Sequence, residues 1–119
     1  MMPKKFTFNK ENVLRKNRQF QAVYKTGKSY ANKHLVLYVM PNLESKPRIG
    51  FAVGKRLGGA VVRNRVKRLL REAFRLNQHS LKQGFDLIII GRQPVVGKDF
   101  KAVNKAVLDL FGRAKLIAE

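Results

Sequence analysis

The sequence predicts an α–β sandwich, of α+β or α/β type, in which one sheet is covered by several helices. Three observations carry this expectation. Apolar and polar residues alternate along two stretches between Ser29 and Gly54. Phe85 to Gly91 is an unbroken apolar run, as in a strand covered on both faces. Three further stretches carry apolar residues at helical spacing. The chain has 119 residues, which suits one domain spanning 1–119.

Taken in order, residues 1–14 are polar and basic and read as a flexible arm. From Arg15 to Lys25, Phe20, Val23 and Tyr24 follow helical spacing, and Gly27 marks a stop. Ser29 to Met40 reads as strand, with room for a short extra strand near Tyr30. Leu35, Leu37 and Val39 point one way; Val36, Tyr38 and Met40 point the other. Pro41 to Pro47 is a turn-rich loop. Arg48 to Gly54 alternates again, placing Ile49, Phe51 and Val53 on one face. The other face, Gly50, Ala52 and Gly54, is almost bare and invites close approach by backbone, helix or ligand. Gly58 and Gly59 precede a long helix to about Asn77. The strand Phe85–Gly91 follows it. Arg48 to Gly91 is thus a β-α-β unit whose strands can pair in parallel. After Pro94–Gly97, a last helix runs from Asp99 to about Ala114, with Phe100, Val103, Val107, Leu110 and Phe111 as its stripe and Asp99 placed to cap it.

Charge is the most unusual property. Lys and Arg number 26 against 7 Asp and Glu, for a formal net charge of +19. A polyanion relieves the self-repulsion of such a chain, and counterions released from a nucleic acid add to the attraction. There is no cysteine, which removes disulfides and thiolate metal sites. The apolar runs are far short of the ~20 residues that span a bilayer. The amino-terminal MMPKKFTFNK lacks an apolar core, so no signal peptide is expected. These features point to a cytoplasmic, nucleic-acid-binding protein with no membrane partner.

The charge concentrates on the long helix. Between Lys55 and Arg75 there are eight basic residues and one acid, Glu72. On a helical wheel Val62, Val66, Leu69, Ala73 and Leu76 form an apolar stripe, Asn64, Lys67, Arg68, Arg71 and Arg75 the opposite face, and Arg63 and Arg65 the margins. Like charges at i and i+4, such as Arg63–Lys67, destabilise an isolated helix by about 0.2–0.5 kcal/mol per pair. An ordinary solvated face mixes Glu with Lys; this one does not, and its arginines suit forked contacts to phosphates. Asn64 can hydrogen-bond RNA or a neighbouring backbone group; the residues alone leave both open.

Here a resemblance emerges. Leu57-Gly-Gly-Ala60-Val-Val-Arg63-Asn64-Arg65-Val66-Lys67-Arg68-Leu-Leu-Arg71-Glu72 closely resembles the "RNR" signature of the bacterial ribonuclease P protein family. Phe20 and Tyr24 sit where that family carries two aromatics, and Val36 and Tyr38 fall on the strand that lines its cleft. Lys55 and Arg56 precede the helix as in the family, and Ile88–Pro94 resembles its last strand and the basic residue after it, Arg92. Two departures stand out: Tyr24 where phenylalanine is common, and Gly59 where a polar residue is common.

The resemblance implies an α+β sandwich of order α-β-β-β-α-β-α with a left-handed β-α-β crossover, a rare hand that general rules would not give. It implies a subunit of an endoribonuclease that matures the 5′ end of tRNA, with catalysis by the RNA subunit and precursor tRNA as substrate. Lys55, Arg56, Arg63, Asn64, Arg65, Lys67, Arg68, Arg71 and Arg75 would then face the catalytic RNA. Phe20, Tyr24, Val36, Tyr38 and Arg92 would line a cleft for the single-stranded 5′ leader. The resemblance further implies no cofactor bound by the protein, a requirement for Mg2+ in the RNA-containing holoenzyme, and a protein that is monomeric before assembly. Aromatic rings beside cations are what single-stranded RNA binds, although spacing alone favours Phe20 and Tyr24 as core.

The residues contain no recognisable hydrolytic centre. Glu11, Glu44, Glu72, Asp86, Asp99, Asp109 and Glu119 are scattered, and His34 and His79 stand far apart without a visible carboxylate partner. A ribosomal or other structural RNA-binding protein is the first alternative. A DNA-binding architectural protein lacks support, because no helix-turn-helix pattern or minor-groove wedge is present. An autonomous nuclease is disfavoured by the scattered acids.

Overall fold

The computed structural model describes residues 13–14, 16–42 and 47–117. Its elements are α1 (Asn17–Thr26), β1 (Lys28–Ala31), β2 (Leu35–Pro41), β3 (Arg48–Ala52), α2 (Ala60–Asn77), β4 (Phe85–Gly91) and α3 (Phe100–Arg113), with short 3-10 turns at Lys55–Leu57, Gln78–Ser80 and Gln93–Val95. The sheet order is β1-β2-β4-β3. β2 runs antiparallel to both β1 and β4, while β3 and β4 pair in parallel across α2. This is the α+β order α-β-β-β-α-β-α.

The stretch read as strand over Ser29–Met40, with room for a short extra strand near Tyr30, is two strands, β1 and β2. Asn32 divides them: its Oδ1 accepts the backbone N–H of His34 at 3.0 Å and of Leu35 at 2.8 Å. A side chain that satisfies two backbone donors offers the chain a turn in place of a ladder. The basic arm expected over 1–14 lies outside the described residues except for its end, and there the expectation fails. Leu14 is buried and donates its N–H to Ile49 O at 2.7 Å, and Val13 bridges Ile49. An apolar side chain at position 14 gains more from the core than from solvent.

The sheet separates two layers. On one face Leu35, Leu37, Val39, Ile49, Leu87 and Ile89 join Leu70, Phe74, Val103, Val107, Leu110 and Phe111 in the main core under α2 and α3. The alternation predicted for β2 is observed: Leu35, Leu37 and Val39 are buried, and Val36, Tyr38 and Met40 are half-buried. β4 is covered on both faces, with Leu87, Ile88 and Ile89 each at most 1% exposed.

The apolar stripe of α2 differs from the expected one. Its buried residues are Val66, Leu70, Ala73 and Phe74, whereas Leu76 is 40% exposed. The buried arc is turned by about 60° from the predicted one at ~100° per residue. The cause is that α2 packs on the sheet and on α3 together. Two surfaces draw in a wider arc than one stripe.

The carboxyl end of α2 is closed by side chains: Asn77 Nδ2 donates to Ala73 O at 2.8 Å and Gln78 Nε2 to Arg75 O at 3.2 Å. The amino end of α3 is capped as predicted, with Asp99 Oδ1 accepting Ala102 N–H at 2.9 Å. Asp99→Ala is expected to cost about 0.5–2 kcal/mol of stability in a urea titration. An unchanged midpoint would mean that the cap is redundant.

Candidate nucleic-acid interface

The second face of the sheet is covered only in part, and its register sets the site. Tyr38, Ile88 and Gly50 lie in one row across β2, β4 and β3; Val36, Ile90 and Ala52 lie in the next. α1 crosses this face and docks through Val23, which is fully buried beside Leu14 and Ile88. Gly50 makes close approach possible. A Cβ there would stand 2.6 Å from Phe20 Cζ, so the bare face of β3 is where the Phe20 ring rests. Gly54, farther along, has nothing near it.

Phe20 and Tyr24 are therefore neither simply core nor simply exposed. Both are half-buried, as is Tyr38. Tyr24 and Tyr38 meet edge to face, centroids 5.1 Å apart at 80°, and Phe20 lies 6.3 Å from Tyr24. Such edge-to-face contact fixes the rings while leaving ring surface open. Burial, and then the nearby Tyr38, pushes the Tyr24 hydroxyl above its ordinary pKa.

The cluster continues into a groove. Ile90 packs against the same buried cluster of Leu14, Val23 and Ile88 as the three rings and also lines the groove, together with Val36, Arg56, Leu57, Arg92 and Pro94. Val36 and Arg92, expected in the cleft, are thus brought together with Arg56, expected on the helix side. Leu57 and Pro94 carry no chemistry that marks them in the sequence as groove residues: Leu57 follows Arg56, and Pro94 lies two residues after Arg92. Arg92 is exposed and donates Nη1 to Asn32 O at 2.6 Å.

The basic set on α2 divides by surroundings. Asn64, Arg65, Arg68 and Arg71 are exposed, and so are Lys55 and Arg56 in the turn before the helix. Gly58 at φ +146° lets that turn lead into α2, a conformation that side chains rarely adopt. Gly59 provides no side-chain cap and no acid occupies the first turn, so the positive amino end of α2 adds to the field. Arg65 Nη1 reaches Lys98 O at 3.1 Å. The Arg71 guanidinium stands 6.0 Å over the Phe51 ring, drawing it to the β3 edge. Arg63 and Lys67 are half-buried, and Arg63 Nε has no hydrogen-bond partner among the described residues. Arg75 is held by Glu72 through a fork, with Nε–Oε2 at 3.1 Å. That bond, opposed in part by burial and aided by the charge of Arg75, lowers the Glu72 pKa. Arg75 therefore brings less net charge than its neighbours. Val61, exposed at 83%, is an apolar spot among these cations.

No group of three or more His, Cys, Asp or Glu among the described residues is placed to hold a metal ion. Asp86 is bound by Arg48, Glu72 by Arg75, Asp109 by Arg113, and Asp99 caps α3. No helix among the described residues is long and apolar enough to cross a membrane.

Comparison with known proteins adds the following. The ribonuclease P family model matches residues 8–115. The chain is 47% identical over 106 residues to the ribonuclease P protein component of Clostridium botulinum (strain 657 / Type Ba4), covering 88% of this chain and 96% of that protein. It is 45% identical over 106 residues to that of Alkaliphilus oremlandii, covering 89% and 93%. Among solved structures, the RNase P protein of Staphylococcus aureus at 2.0 Å superposes with a TM-score of 0.83 at 34% identity, covering 89% of this chain and 97% of that one. The RNase P protein from Thermotoga maritima gives a TM-score of 0.79 at 34% identity, covering 85% and 96%.

Proposed function

This chain belongs to the ribonuclease P protein family, and from that membership we propose that it is the protein subunit of a ribonucleoprotein enzyme that removes the 5′ leader from precursor tRNA. The exposed arc of α2 and the turn before it bind the catalytic RNA. The partly covered sheet face holds the single-stranded leader. The protein works in the cytoplasm and is monomeric until it assembles.

The observation that carries this reading is the pairing of two unlike surfaces on one small domain. One is a cationic helix face with a single acid, suited to the phosphates of folded RNA. The other is a recess of half-buried rings, Phe20, Tyr24 and Tyr38, that runs into a groove with Arg56 and Arg92 at its edge. Single-stranded RNA binds by stacking unpaired bases on rings while cations meet its backbone.

The described carboxylates do not fit a resident metal, because each already serves an arginine or a helix cap. Under this reading Mg2+ is held by RNA phosphates, and the chemistry belongs to the RNA. The protein's own residues neutralise phosphates where RNA and substrate approach, and grip the leader so that the substrate is bound in register.

The test is leader affinity in the reconstituted holoenzyme. Base stacking on an aromatic side chain contributes about 1–3 kcal/mol. Tyr38→Ala should therefore weaken binding of leader-bearing precursor tRNA by about fivefold or more, while Tyr38→Phe stays near wild type. Equal weakening for tRNA without a leader would argue against the cleft as the leader site.

A further inference from the structure

We propose that Asn32 is a positioning residue for Arg92, holding its guanidinium at the mouth of the cleft to receive a phosphate of the leader. The inference deepens the leader-binding reading and rests on it. Asn32 lies in the turn between β1 and β2, far from Arg92 in sequence. Its main-chain oxygen accepts Arg92 Nη1 at 2.6 Å, and Arg92 N–H is bound by His34 O at 2.9 Å. Both ends of Arg92 are thus tied to one turn.

That turn is itself fastened. Asn32 Oδ1 accepts His34 N–H and Leu35 N–H, and Asn32 N–H donates to Leu35 O at 3.0 Å. Asn32 Nδ2 donates to Ala106 O at 3.0 Å and to Asp109 Oδ2 at 3.1 Å, both on α3. Arg113 closes the frame, donating to Asp109 Oδ1 at 3.3 Å and to Ala31 O at 3.1 Å. The amide of Asn32 therefore connects α3, through the turn, to the cation at the groove.

The chemistry of the tether matters. A backbone carbonyl is neutral: it orients the fork, leaves its positive charge uncompensated and leaves the other donors for a phosphate. The contrast is Arg75, whose carboxylate partner Glu72 cancels its charge. Pre-orientation lowers the ordering cost when a ligand arrives. Asp109, the acid bonded to this turn, is occupied by Arg113 and Asn32.

The experiment uses holoenzyme reconstituted with a ribonuclease P RNA. Affinity is measured for precursor tRNA with a leader and for mature tRNA, and their ratio is the leader preference. Asn32→Asp keeps an acceptor for the two turn N–H groups but sets a carboxylate against Asp109. Asn32→Ser is the second variant, should Asn32→Asp fold poorly by thermal melt. Arg92→Ala should lower the leader preference by about tenfold, the worth of one charge-assisted contact. The Asn32 variants should lower it several-fold, with no further loss in the Arg92→Ala background. Adding Asp109→Asn to Asn32→Asp should restore much of it by reversing the polarity of that hydrogen bond.

A lowered melting temperature with unchanged leader preference would make Asn32 merely structural and overturn the proposal. So would an undiminished loss in the Arg92→Ala background. A wild-type holoenzyme without leader preference, or an Arg92→Ala variant that keeps it, would instead remove the cleft reading and the inference with it.

Discussion

Asp86→Ala is expected to lower the unfolding free energy of the isolated protein by about 3 kcal/mol, the lower end of the range for a broken buried ion pair. Asp86 sits in the otherwise apolar run of β4 at 1% exposure. Arg48 grips it in a bidentate pair, Nε–Oδ1 2.7 Å and Nη2–Oδ2 2.8 Å, and Asn42 Nδ2 adds a bond to Oδ1 at 2.5 Å. Arg48 and Asp86 are also register partners, so the pair pins the first step of the parallel β3–β4 ladder. Truncation takes the carboxylate from a cation whose side chain keeps 28% exposure, which is why the lower end applies. Arg48→Ala should cost more, because the charge left behind is the fully enclosed one. An Arg48→Met/Asp86→Leu pair should recover much of the loss. A shift under about 0.5 kcal/mol in urea unfolding of Asp86→Ala, the size of an ordinary surface change, would show that the ion pair does not hold the ladder. Asp86 shares the cleft face with Ile88 and Ile90, so Arg48 also keeps an uncompensated negative charge away from a bound leader.

The second large effect is on assembly. Arg65→Ala with Arg68→Ala is expected to weaken binding to the catalytic RNA by about two orders of magnitude, at ~1.5–3 kcal/mol for each charged hydrogen bond. The slope of log affinity against log salt should fall by about one for each phosphate that the variant no longer neutralises. Both side chains are exposed on α2, and neither is paired with an acid among the described residues. Arg113→Ala removes the same charge from α3, where Asp109 already partners it, and should change assembly little. Arg75→Ala should fall between, because Glu72 holds Arg75. Equal losses from Arg68→Ala and Arg113→Ala in a filter-binding titration would mean that the RNA responds to total charge and not to this face.

The main helices and strands are legible in the sequence because each carries its own period. Leu35, Leu37 and Val39 alternate, and Phe100 to Phe111 repeat at helical spacing with Asp99 before them. What was not legible depends on a second element. Leu70 and Phe74 stand beside Arg71 and Arg75 in sequence; only the joint packing of α2 on the sheet and on α3 draws them inward. The break between β1 and β2 comes from one amide, and nothing in the surrounding pattern sets Asn32 apart.

For the site, the resemblance named the residues and the physics of spacing explains half of their placement. Phe20 and Tyr24 share a helix face, as i and i+4 must. That Val23 takes the buried position, leaving the rings half open, follows from the bare patch at Gly50 across the sheet. The groove that brings Arg56 beside Arg92 joins two turns remote in the chain. The charge on Arg75 could be discounted only once Glu72 was seen to face it.

The most direct measurement is cleavage of a 5′-labelled precursor tRNA at low magnesium by this protein alone, by a bacterial ribonuclease P RNA alone, and by the two together. Correct 5′ maturation in the mixture, with none from the protein alone, is the expected result. Cleavage by the protein alone, or no stimulation of a folded and competent RNA, would contradict it.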